Sequence, residues 1–74
     1  MNGFPSRETV ALLRQQYPAG CRVELVCMDD PYSRLTPGNQ GEVVAVDAIG
    51  TVHVAWDNGS SLGVAYGVDR IRKL

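Results

Sequence analysis

The sequence predicts a mostly β domain, a small barrel of five short strands preceded by one short amphipathic helix, and three observations predict it. Short runs at 22–28, 41–47 and 51–56 are valine-rich or alternate apolar with polar residues, the pattern of strands that bury one face. Tight turn signals separate the later runs, the strongest being Asp57-Asn58-Gly59. Helical periodicity is confined to the N-terminal residues, where Val10, Leu13 and Tyr17 recur at i, i+3 and i+7. With 74 residues there is room for one domain, 1–74, comprising a helix over 6–17 and a barrel over 20–74.

The helix has a start and a stop. The Ser6 hydroxyl can accept from an orphan amide of the first turn, and Glu8 suits the positive end of the helix dipole. Pro18 and Gly20 end it. In the first strand Val23, Leu25 and Cys27 alternate against Arg22 and Glu24. Residues 29–38, with two prolines and a glycine, read as a long loop, and loops of that length are often functional. A second strand over 41–47, a turn at Ala48, Ile49 and Gly50, and a third strand over 51–56 follow. After Val64, Tyr66 to Arg70 form a turn or a single helical turn, and Ile71 to Leu74 a last strand. Gly38, Gly41, Gly50 and Gly59 read as turn markers.

Burial decides the register of the hairpin at Asn58-Gly59. A two-residue loop would split its apolar residues between the faces. A three-residue loop, with Gly59 in a left-handed bulge position, pairs Trp56 with Ser60, Val54 with Leu62 and Val52 with Val64, so that all five apolar side chains share one face.

Composition bounds the function. Apolar residues at 45% and charged residues at 20% are ordinary for a folded domain. A net charge of -1 disfavours broad phosphate-backbone binding. No apolar run reaches the roughly 20 residues of a membrane span, and residues 1–6 lack the pattern of a signal peptide, so a soluble, cytoplasmic protein is expected. Cys21 and Cys27 would lie roughly 20 Å apart in one strand, beyond the limit of about 7 Å for a disulfide. Free thiols in a reducing compartment are expected, with Cys27 a small core residue.

The run Pro37-Gly38-Asn39-Gln40-Gly41-Glu42-Val43, followed by Gly50 to Ser60, is similar to patterns in SH3-like barrels, including the KOW and Tudor-like modules. More closely, Arg22-Val23-Glu24-Leu25-Val26, Met28-Asp29-Asp30-Pro31-Tyr32, Trp56-Asp57-Asn58-Gly59-Ser60 and Arg70 to Leu74 resemble the domain-of-unknown-function family 4314. The resemblance covers residues 17–74 and implies a small SH3-like barrel domain of phages and mobile elements of Gram-positive bacteria. It implies no activity. Where other members carry a second proline after the loop leucine or isoleucine, this chain has Thr36, which touches loop stiffness only.

Few residues invite a chemical role. Adjacent Asp29 and Asp30 point to opposite sides of an extended segment, which suits capping or partner contact better than shared acid-base or metal chemistry. His53, the one histidine, falls on the face away from the valines, beside Ala55 and Ser61, with no second ligand at metal spacing. Tyr32, Trp56 and Tyr66 are the aromatics of the barrel region. They either contact a partner, as in many such barrels, or close the core. Arg70, Arg72 and Lys73 form the one basic cluster, readable as a solvated edge or, with Arg34, as a small nucleic-acid footprint.

The expectation is therefore a non-enzymatic module without cofactor or metal that binds another protein. Its candidate contact residues are Asp29, Asp30, Tyr32, Arg34, Trp56, Asn58 and Tyr66. The alternatives are nucleic-acid binding through Arg34, Arg70, Arg72 and Lys73, and a subunit that assembles through its own sheet edges.

Overall fold

The computed structural model describes residues 5–28 and 35–74. One helix, α1 (Arg7–Gln16), precedes five strands: β1 (Arg22–Cys27), β2 (Gln40–Val46), β3 (Val52–Trp56), β4 (Gly63–Val64) and β5 (Arg70–Lys73). The strands form one sheet in the order β4-β3-β2-β1-β5, and every neighbouring pair is antiparallel. The mostly β class, the leading helix and the strand count match the sequence reading.

α1 starts where expected. Ser6 is extended and its hydroxyl accepts from the Thr9 amide at 3.2 Å. The stripe of Val10, Leu13 and Tyr17 turns to the sheet, with Val10 and Tyr17 buried and Leu13 packed against the core. The Arg14 Nε–H adds a tether by donating to the Val46 carbonyl at 3.2 Å. Pro5 closes the entry to the helix over Gly50, whose Cα approaches so near that an added Cβ would lie 2.6 Å from the proline ring.

The hairpin takes the three-residue form. Val52 pairs with Val64, the Trp56 amide donates to Ser60 O at 2.9 Å, and Gly59 has φ +92. Val52, Val54, Trp56 and Val64 are buried and Leu62 packs partly buried on the same cluster, so the five share a face. Val23 and Leu25 of β1, Val43 and Val46 of β2, and Leu35 complete the core.

Two local readings need correction. Cys27 is exposed rather than a core residue. The cause is a bulge in β1: Leu25 faces Ile71 but Cys27 faces Arg70, so two steps on β1 match one on β5 and the inward alternation is lost after Leu25. A second bulge in β2 sets Val43 opposite Val54 and Ala45 opposite His53, which leaves Val44 exposed and returns Val46 to the core. Gly41 marks no turn. It lies within β2 opposite Trp56, where a Cβ would sit 2.6 Å from Val54 Cγ1 and 2.8 Å from the Ala55 carbonyl oxygen.

The closed SH3-like barrel is not seen, because β4 and β5 remain the two edges of the sheet. β4 is only two residues long, and the chain leaves it for a turn over 65–69 instead of continuing along β5. The sheet nevertheless curls. Four inter-strand steps would separate flat edge strands by roughly 19 Å, yet Val64 of β4 and Ile71 of β5 line one groove.

Candidate functional site

The seam between the two edge strands forms that groove, of about 390 Å³, with α1 as one wall. Leu13 and Tyr17 come from the helix, Val52, Val64 and Ile71 from the sheet, and Tyr66 and Arg70 from the turn and the start of β5. Each arrives for a local reason. Leu13 and Tyr17 lie four apart, on one helical face. The turn is held by Asp69, whose Oδ2 accepts from the Ala65 amide at 3.0 Å while its own amide donates to Ala65 O at 3.0 Å. That closure projects Tyr66 outward, 51% exposed.

Tyr17 and Arg70 both line the groove and carry polar groups with no side-chain hydrogen bond among the described residues. Tyr17 is buried, its hydroxyl makes no hydrogen bond to a described residue, and no fully buried side-chain oxygen or nitrogen lacks a partner. Tyr17 is among the residues that line the groove. Burial, with a smaller electrostatic contribution from Cys21, holds its pKa above the ordinary tyrosine value, so it stays a neutral hydrogen-bond donor. Arg70 is exposed on the rim, and its guanidinium has no ion pair among the described residues.

Three ion pairs form among residues that do not line the groove. Arg22 grips Asp57 with two hydrogen bonds, Nη1 to Oδ1 at 2.9 Å and Nη2 to Oδ2. Arg72 donates to Glu24 at 2.8 Å. His53 Nε2 and Asp47 Oδ2 lie 2.9 Å apart. The Arg22 guanidinium holds the Asp57 carboxyl below its ordinary pKa. Asp47 is lowered by His53 and by the Thr51 amide. Among the described residues, no three His, Cys, Asp or Glu side chains gather as a metal site would require.

The structure gathers only some of the residues proposed from sequence. Asp29, Asp30, Tyr32 and Arg34 lie outside the described residues. Trp56 is buried, and its indole N–H donates to Leu62 O at 2.9 Å, so the core-closing reading of this residue prevails. Asn58 is exposed at the hairpin tip, where its side chain accepts from the Ser60 amide at 2.9 Å and shapes the turn. Of the described members of that set, Tyr66 lines the groove and Trp56 and Asn58 do not. Of the basic cluster, Arg70 is on its rim, Arg72 is tied to Glu24, and Lys73 is exposed near the end of β5. The contributions of Leu13 and Tyr17 were missed, although their apolar stripe was plain, because a stripe does not say which part of it the sheet leaves uncovered.

The family model described as Domain of unknown function (DUF4314) matches residues 6–74. The chain belongs to this family. No curated protein and no solved structure is significantly similar to it. For the DUF4314 domain, then, the groove and its rim are the available guide to function. No helix among the described residues is long and apolar enough to cross a membrane.

Proposed function

We propose that this DUF4314 domain is a non-enzymatic module that binds another protein, as an accessory factor of a phage or mobile element acting in the cytoplasm. The observation that carries the reading is the seam groove, with apolar walls, Tyr17 among its lining residues and an exposed aromatic and cation on its rim. Interface centres favour this composition, since tyrosine and arginine supply large contact area and directed hydrogen bonds. None of the residues of the ion pairs Arg22–Asp57, Arg72–Glu24 and His53–Asp47 lines the groove.

Photo-crosslinking tests it. A benzoylphenylalanine replacing Tyr66, in the native host cell, should yield adducts with a discrete protein, and one replacing Ala55 on the exposed side of β3 should not. Equal labelling from both positions, or none from 66, overturns the reading. The mobile-element setting is checked by the genes encoded beside this one. Nucleic-acid binding is less well supported, because Arg72 is already engaged by Glu24 and the chain is net acidic.

A further inference from the structure

The groove carries enough chemistry to say what kind of protein segment would enter it. It lies at a seam with an edge strand on either side, β4 and β5, neither of which pairs on its outer side with another described strand. Such edges offer backbone groups to an extended chain, and side chains at alternate positions of that chain then enter the adjoining pocket. Leu13, Val52, Val64 and Ile71 make the pocket apolar. At about 390 Å³, and open along a rim of exposed Tyr66, Gly67 and Arg70, it has room for a large side chain without enclosing a free small molecule on most sides.

Charge sets the sign of the partner. Asp69, the one acidic residue among the described residues that line the groove, is engaged in holding the 65–69 turn. Arg70 on the rim and Lys73 further along β5 have no ion pair among the described residues. A second copy of this chain fits badly. Two β5 edges brought together would set the uncompensated Arg70 and Lys73 of one copy near those of the other, and like charges facing across strands repel.

We infer that the seam binds an extended acidic segment of another protein, with one bulky apolar side chain seated against Leu13, Tyr17 and Ile71 and a neighbouring carboxylate on Arg70. The inference rests on the protein-binding reading above and deepens it. Exposed Tyr66 on the rim is placed to cover the apolar side chain of that segment. The bland alternative is that the cations of β5 only blunt an exposed edge against aggregation.

Fluorescence anisotropy with three labelled twelve-residue probes separates these cases: one alternating glutamate with phenylalanine and leucine, the same with lysine for glutamate, and a single-stranded oligonucleotide. The acidic probe should bind, the lysine probe about tenfold or more weaker, and Arg70→Glu should reverse that order. Tyr66→Ala, at an exposed position that the fold does not need, should weaken the acidic probe by about tenfold. Equal binding of both peptides, indifference to Arg70→Glu, or a preference for the oligonucleotide overturns the assignment. So does failure of every probe; if the position-66 crosslink persists, that failure removes the acidic-segment assignment alone and leaves the binding module standing.

Discussion

The indole Nε1–H of Trp56 donates to the backbone carbonyl of Leu62 at 2.9 Å, bridging the two arms of the hairpin from inside the core. Trp56 thereby closes the barrel-like core and satisfies a carbonyl at a point where the strand pairing of β4 has not yet begun. Trp56→Phe keeps most of the apolar surface but strands that carbonyl, at a cost of about 1–3 kcal/mol. Urea unfolding followed by far-UV circular dichroism measures it, and a loss well below that range would mean the hydrogen bond is idle.

Gly41→Ala should destabilise the fold although alanine is a modest change. The added methyl would meet Val54 Cγ1 and, less yieldingly, the Ala55 carbonyl and Trp56 Cα of β3. Backbone cannot retreat without disturbing the β2–β3 ladder, so a cost of about 1–3 kcal/mol is expected. The same substitution at Gly20, where a Cβ would meet nothing within 4 Å but φ is +92, tests backbone strain separately.

Asp47 organises the turn from β2 to β3, its Oδ1 accepting from the Ile49 amide at 3.1 Å and the Thr51 amide at 2.9 Å. Asp47→Ala should cost about 1 kcal/mol, readable as a lower urea midpoint with an unchanged slope.

Acid should weaken the fold through Asp57 as well as Asp47, because both carboxyls are held below their ordinary pKa in the folded chain, Asp57 by Arg22 and Asp47 chiefly by His53. A depressed folded pKa means the unfolded chain takes up the proton first. The stabilisation is therefore complete above the ordinary carboxyl pKa of about 3.9 and is lost as pH falls through it toward the folded value. Asp57→Asn should flatten the acid limb of a stability-against-pH curve and leave its neutral plateau's slope unchanged; an undiminished acid limb would show the pair to be screened out.

Thiol labelling reports the β1 bulge. Cys27 is exposed and Cys21 only partly so, so a disulfide reagent should modify Cys27 first in the folded protein. Faster reaction of Cys21 would argue that alternation continues past Leu25.

Much of this fold was legible because its cues are local. Ser6 caps the helix through an amide three residues on, and Gly59 takes the positive φ its turn needs. Where one face is buried, a shift of one residue would expose Val52, Val54 and Trp56 together, so the hairpin register followed from burial alone. The bulges were not legible. Val26 and Val44 look like any strand valine, and only the demands of β5 and β3 on the other side of the ladder make them the extra residues.

By itself the chain of residues determined one helix, five strands, most of their turns and most of the side chains that seek the core, Cys27 and Leu35 excepted, since each depends on neighbours within a few positions. Only the tertiary structure decided that the sheet curls without closing, that Trp56 serves the core rather than the surface, and that Leu13, Tyr17, Tyr66 and Arg70 share a groove. Those outcomes depend on how segments more than fifty residues apart settle against one another, and no periodicity along the chain records that distance.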